Sequence, residues 1–163
     1  MLSDRMREAI NDQINAELYS AYLYLSMAGH CEAVNLPGFA SWMKQQAKEE
    51  VTHAMKLFEY LNDRGTRVAL KAIAEPPLEF ASPVDIFQQT LDHEKAVTDR
   101  INRLYAMALE ENDYATQNML QWFIEEQVEE EKTASQVLEQ LKRVGDQGTA
   151  LVIMDRYLAE RKD

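Results

Sequence analysis

The sequence predicts an all-α protein: a four-helix bundle with one long crossover and a short C-terminal fifth helix. Three observations carry that expectation. Glycine and proline are scarce among the 163 residues, at 5 and 4, whereas the strong helix formers alanine, glutamate, leucine, methionine, glutamine and lysine are plentiful. Apolar residues recur at helical spacing through four stretches of roughly thirty residues each. A single long segment, at about 65–83, lacks that periodicity and carries Glu75-Pro76-Pro77 and Ser82-Pro83.

The elements follow in order. Ser3 or Asp4 supplies an N-cap. From there Ile10, Ile14, Leu18, Ala21, Leu25 and Ala28 mark one helical face to about Val34. Asn35-Leu36-Pro37-Gly38 interrupts the pattern, and Pro37 suits a first helical turn because its missing N–H is not needed there. The second helix is expected to run to about Arg64 and to stop at Gly65. Two rods of about 42–45 Å joined by so short a link form an antiparallel hairpin. The irregular segment that follows could span up to about 60 Å when extended, the full length of a rod. It reads as a crossover that makes the second and third helices parallel, with Val68, Leu70, Ile73, Leu78 and Phe80 as apolar groups to bury. The third helix is expected from Ser82 or Pro83 to about Glu111. The fourth runs from an Asp113 cap to about Val144 and ends at Gly145. The fifth covers about Thr149 to Arg161. Residues 1–163 are thus expected to form one domain, with the bundle in 1–144 and the short helix in 145–163.

Charge and cysteine usage narrow the functional classes. The formal net charge is −11, which argues against a nucleic-acid partner, because phosphates would be repelled. Acidity also attracts cations. The lone Cys31 precludes an intramolecular disulfide and fits a reducing compartment. No apolar run is long enough for a bilayer, and Met1-Leu2-Ser3-Asp4-Arg5 is not a signal peptide. A cytoplasmic protein without membrane association is expected.

The most informative pattern appears when each long helix is laid out in steps of seven, which drift only about 20° per step. Helix one gives Ile10, Glu17, Tyr24, Cys31. Helix two gives Met43, Glu50, Leu57 and, alongside, Phe39, Gln46, His53, Tyr60. Helix three gives Phe87, Glu94, Ile101, Ala108. Helix four gives Leu120, Gln127, Ala134, Leu141 and, alongside, Phe123, Glu130, Val137, Val144. In every helix an apolar row is broken near mid-length by a carboxylate. Glu50 and His53 sit one turn apart, about 60° around the axis, so both can reach one ion. The heights agree in a parallel or an up-down-up-down arrangement, and only the long crossover favours the former.

Several carboxylates in one apolar core are costly, since each uncompensated ion costs several kcal/mol and like charges raise each other's pKa. Protonation, buried basic partners or a metal could relieve them. The rows contain no Lys or Arg at mid-height, and one His cannot neutralise four Glu. Divalent or trivalent cations are the simplest answer, and oxygen-rich ligands with one imidazole suit iron or manganese.

These residues carry a resemblance. Asn15-Ala16-Glu17-Leu18-Tyr19-Ser20-Ala21-Tyr22-Leu23-Tyr24, the Glu50/His53 pair, Glu94, the crossover Glu-Pro-Pro, and Glu126-Gln127-Val128-Glu129-Glu130-Glu131 are together similar to the prokaryotic non-haem ferritins. The resemblance implies that Glu17, Glu50 and His53 hold one iron. Glu50 would bridge to a second iron held with Glu94 and assisted by Gln127 and Glu130. Tyr24 would donate a hydrogen bond or an electron. Glu49, Glu126, Glu129 and Glu130 resemble the ligands of a third iron site. The family further implies Fe(II) and O2 or peroxide as substrates and a hollow homo-oligomeric shell of twenty-four subunits storing ferric mineral. Bacterioferritins carry a second Glu-x-x-His on helix four and a haem-binding Met. Here those places hold Gln127, Glu130 and Thr52, so no haem is expected. A smaller di-iron oxidase or peroxidase, or a helical interaction protein with protonated core acids, would use the same pattern without a shell. His30 and His93 lack partners at metal spacing and read as structural. Cys31, Trp42, Trp122 and most methionines read as packing residues.

Overall fold

A computed structural model describes residues 1–145 and 147–161. Positions 146, 162 and 163 of the expected C-terminal segment lie outside the described residues. The helices are α1 (Asp4–Ala33), α2 (Pro37–Asp63), α3 (Pro83–Glu110), α4 (Tyr114–Val144) and α5 (Gly148–Ala159). Their ends are capped as the sequence suggests. Ser3 Oγ accepts from Met6 N–H at 3.0 Å, and Ser82 Oγ accepts from Asp85 N–H at 3.1 Å. Asp113 Oδ1 accepts from Thr116 N–H at 3.2 Å. Proline opens α2 and α3. Gly65 takes φ +69° just past the second helix, a conformation other residues rarely adopt.

Long-range contacts fix the helix directions. Ser3 and Arg5 at the start of α1 reach Glu111 and Glu110 at the end of α3, whereas Ser20 meets His93 and Met27 meets Thr90. Helix α3 is therefore antiparallel to α1, as α2 is through its short link, so α2 and α3 are parallel to each other. Helix α4 runs antiparallel to α2: Gln46 meets Glu130 near one end and Arg64 meets Asp113 at the other.

Residues 64–82 form the crossover and lie along α1. Asn11 Oδ1 accepts from Ala69 N–H at 2.9 Å, and Asn15 Nδ2 donates to Ala72 O at 3.0 Å. Further along, Ser26 Oγ donates to Pro77 O at 2.5 Å, and Phe80 is buried edge-on against His30. The anchoring is more polar than the apolar content of the segment suggests. Phe80 buries fully, but Leu70 and Leu78 stay 68% and 76% exposed. An extended chain on a helix surface can turn only alternate side chains inward, and here the side-chain amides of α1 satisfy its backbone instead.

The interior has two apolar halves. One joins the C-terminal half of α1, the starts of α2 and α3, the end of α4, and Met154 and Leu158 of α5. The other joins the start of α1, the ends of α2 and α3, and Leu120 and Phe123 of α4. Helix α5 lies against the first turn of α2, where Asp155 Oδ1 accepts from Phe39 N–H at 3.0 Å. It ends two residues earlier than its sequence pattern suggests, which leaves Arg161 past the helix terminus. Among the described residues, no helix is long and apolar enough to cross a membrane.

Candidate metal centre

Between the two apolar halves lies a polar layer to which all four long helices contribute. Glu17 of α1, Glu50 and His53 of α2, Glu94 of α3, and Gln127 and Glu130 of α4 are all buried. Each sits in a helical row whose other members fill the core, so packing above and below holds it facing inward. His53 Nδ1 is 3.2 Å from Glu50 Oε2. One ligand atom each from Glu17, Glu50 and His53 lies within 4.8 Å of the others. The other ring nitrogen, Nε2, is 3.8 Å from Glu126 Oε1, and His53, Glu126 and Glu130 form a second such group. The imidazole therefore stands between an inner and an outer carboxylate set.

Hydrogen bonds orient these carboxylates. The Tyr24 hydroxyl donates to Glu94 Oε1, and Gln127 Nε2 donates to Glu94 Oε2 at 3.2 Å. Gln13 Nε2 donates to Glu17 Oε1 at 2.7 Å, while Gln13 Oε1 accepts from Arg100 Nε at 3.1 Å. Gln46 Nε2 donates to Glu130 Oε2 at 2.5 Å, while Gln46 Oε1 accepts from Arg161 Nη1 at 2.8 Å. The two relays share one logic. A guanidinium has only donors, so each buried amide must turn its oxygen outward and its NH2 toward the carboxylate. Positive charge stays near solvent while its orienting effect reaches the interior.

The donor set fits a hard cation. Glu17 Oε2 is buried and finds no hydrogen-bond partner among the described residues. Leaving such an acceptor unpaired costs about 1–3 kcal/mol, and an ion at the Glu17, Glu50 and His53 group would satisfy it. Carboxylate oxygens with one imidazole suit iron or manganese, not a thiolate-seeking metal. Among the described residues no Lys or Arg is buried to neutralise the layer.

The electrostatics agree. Burial, then the Glu94, Glu17 and Glu130 charges, push the Glu50 carboxyl well above its usual range. Burial lifts Glu94 to about 7 against the lowering hydrogen bonds of Tyr24 and Gln127, and lifts Glu130 to about 8. Tyr24 is raised well above 10 by burial and the nearby Glu94, so its hydroxyl keeps its proton. Burial lowers His93 to about 4.

These shifts set a pH dependence for the metal-free protein. Carboxyls with raised pKa bind protons more tightly when folded, so their stabilising effect is lost as pH rises through about 7 and 8. His93, depressed, contributes stability that is lost as pH falls from 6.5 toward 4. Above pH 6.5 only the carboxyl effect remains. Metal-free protein should therefore lose on the order of 2–3 kcal/mol between pH 6.5 and 8. Saturating Zn(II) should abolish that loss, because the cation replaces the protons. Thermal melts at the two pH values with and without Zn(II) check this. An apo melting temperature that does not fall, or a fall that Zn(II) leaves untouched, would contradict it.

The remaining sequence-predicted residues are placed as follows. Glu126 and Glu130 join His53 in the outer group. Glu49 is half-buried and paired with Arg161 Nη2 at 2.6 Å. Glu129 is 66% exposed beside Lys132, at 3.6 Å. His30 faces Glu79 and Phe80, and His93 Nε2 lies 2.7 Å from Ser20 Oγ; among the described residues neither joins a metal-capable group. Sequence reasoning missed Gln13, Gln46, Arg100 and Arg161. Gln13 carried a signal, an amide four residues before Glu17 on the same face. Gln46 shared the row of His53. Nothing in the local sequence marks either arginine.

Comparison with known proteins is consistent throughout. A family model described as a ferritin-like domain matches residues 7–144. A bacterial non-heme ferritin of Staphylococcus aureus (strain USA300) is 40% identical over 161 residues, covering 99% of this chain and 97% of its own. The corresponding protein of Staphylococcus haemolyticus is 42% identical over the same shares. A solved structure of an open pore ferritin from the hyperthermophilic archaeon Archaeoglobus fulgidus superposes with a TM-score of 0.99 at 48% identity, covering 99% of this chain and 100% of that one. A humanized archaeal ferritin gives 0.99 at 46% identity with both chains fully covered. Matched across its bundle by the family model and across nearly its whole length by these relatives, the chain belongs to the ferritin family, as a prokaryotic-type non-haem member.

Proposed function

We propose that this protein is an iron-storage ferritin that oxidises Fe(II) at its buried carboxylate layer and keeps the Fe(III) as mineral inside a shell of twenty-four copies. One observation carries the reading. Four buried carboxylates and one imidazole meet at mid-bundle, and no buried basic side chain among the described residues neutralises them. Membership of the ferritin family supports it. Iron is substrate and cargo here.

Glu17, Glu50 and His53 take one Fe(II). Glu50 is shared with a second, held by Glu94 with help from Gln127 and Glu130. Glu49, Glu126 and Glu130 are the ligands of an outer, third position, and Glu129, turned toward Lys132 on the exposed side of α4, could join them only by changing rotamer. Each Fe(II) gives up one electron. O2 accepts the pair with two protons as hydrogen peroxide, or peroxide accepts it with two protons as two waters. Carboxylate oxygens favour Fe(III) over Fe(II) and so promote that loss. Gln13 fixes the direction of Glu17, and Gln127 that of Glu94. Tyr24 holds its proton against Glu94 Oε1. Gln127 is neutral, so it holds the second ion weakly and lets product leave.

The exposed apolar groups Tyr22, Leu25, Leu70 and Leu78 on α1 and the crossover, with Ile153 and Tyr157 on α5, favour contact with further copies. Anaerobic Fe(II) titration, then O2, with native mass spectrometry, tests the whole reading. It expects about two Fe(II) per chain oxidised in a fast phase, a mass of twenty-four chains, and continued iron uptake beyond that stoichiometry. A dimer saturating at the fast phase would make the protein a smaller di-iron oxidase. No tight metal binding would leave a helical interaction protein.

A further inference from the structure

The side of the carboxylate layer nearest α5 is closed by a residue from the chain terminus. Arg161 Nη2 lies 2.6 Å from Glu49 Oε2 and Nη1 lies 2.8 Å from Gln46 Oε1. Its guanidinium carbon stands 4.5 Å from the centre of the Trp42 ring. A planar fork can make two hydrogen bonds at fixed angles while stacking on an indole; a lysine ammonium cannot do all three. Gln46 is wholly buried. With its oxygen committed to Arg161, its NH2 must face Glu130 Oε2. Glu130 in turn belongs to the outer group with His53 and Glu126.

One guanidinium thus holds two of the acids that the outer position would use: Glu49 directly and Glu130 through Gln46. From this geometry we infer that Arg161 is a positioning residue that acts as a tethered competitor for the outer cation. This rests on the reading of the site given above. With Arg161 seated, Glu49 is already neutralised and Glu130 is turned toward Gln46. A cation drawing on both acids must first displace the arginine. Its binding at the outer position is weakened accordingly, whereas the inner group of Glu17, Glu50 and His53 has no contact with Arg161. The consequence is a third position that fills only at higher cation levels than the inner group.

The test is anaerobic calorimetric titration of the full-length assembled protein with Zn(II), following each equivalent per chain, in the parent, Arg161→Gln and Arg161→Lys. In Arg161→Gln the third equivalent should bind about tenfold more tightly, with the first, at Glu17, Glu50 and His53, within about twofold of the parent. Arg161→Lys, which keeps the charge but not the fork, should fall between the two. Co(II) absorption should show the same order, with the outer-site band appearing at lower Co(II) in Arg161→Gln. A third constant that is unchanged or weaker in Arg161→Gln would overturn the inference. So would a parallel change in all three constants with a lowered melting temperature, because Arg161 would then only fasten the C-terminal helix. A parent that binds no Zn(II) at the first two positions would instead refute the proposed function. The two failures are therefore distinguishable.

Discussion

Replacing Glu50 and His53 together by alanine is expected to abolish the fast phase of aerobic Fe(II) oxidation. Both side chains are buried in the same inner group, one turn apart on α2, and Glu50 is the acid closest to the imidazole. Losing residues that merely orient metal ligands typically costs about 10–100-fold, so losing two ligands should cost more, on the order of a hundredfold or beyond. Alanine keeps the helix, and the packing rows above and below the pair, Met43 with Leu57 and Phe39 with Tyr60, are untouched. Helix content by circular dichroism should therefore be unchanged, while tight Zn(II) binding at the first two positions is lost. Stopped-flow absorbance after mixing with two Fe(II) per chain reads the effect directly. Initial rates matching the parent would remove Glu50 and His53 from the chemistry.

The second large effect is structural. Gly38, in the first turn of α2, faces the backbone of α5. A Cβ there would stand 1.7 Å from the Asp155 carbonyl oxygen and 2.5 Å from its carbon, atoms that cannot swing aside. Gly38→Ala must therefore push α5 off the bundle. That exposes Met154 and Leu158 and breaks the Phe39 N–H to Asp155 bond. At about 1.5–3 kcal/mol for each of the two buried side chains and about 1 for the hydrogen bond, the local loss is on the order of 4–7 kcal/mol. Limited proteolysis should then cut the segment around 145–161 several times faster than in the parent. Equal protection of that segment, with an unchanged melting temperature, would show that α5 does not depend on the close approach.

Much of this was legible in the residues themselves. Proline and glycine positions marked the helix ends, and the seven-step rows put Glu17, Glu50, Glu94 and Gln127 on inward faces at one height. Both follow from short-range geometry that a sequence displays. What it did not display lies at long range. Arg100 reaches Glu17 only through Gln13, across 87 positions, and Arg161 reaches Gln46 across 115. Neither arginine has a periodic partner, and Arg161 lies just past the end of α5 at Ala159. The crossover misled in another way. Its apolar content suggested hydrophobic anchoring, yet Asn11 and Asn15 of α1 hold much of its backbone while Leu70 and Leu78 face outward. Likewise the acidic run from Glu125 to Glu131 looked uniform, but helical geometry splits it. Gln127 and Glu130 point into the interior, and Glu129 points away toward Lys132.

The division of the interior into two oily compartments has a consequence for cooperativity. The plane between them is populated by mutually repelling acids, so without a cation the waist is where the rods are least firmly joined. Amide hydrogen exchange of the apo form should be fastest around 13–20, 46–53, 91–98 and 123–130, with slow exchange toward both ends. Occupying the layer should slow those four segments together. An ion that enters as cargo would, while it stays, act as the rivet that makes two half-structures unfold as one.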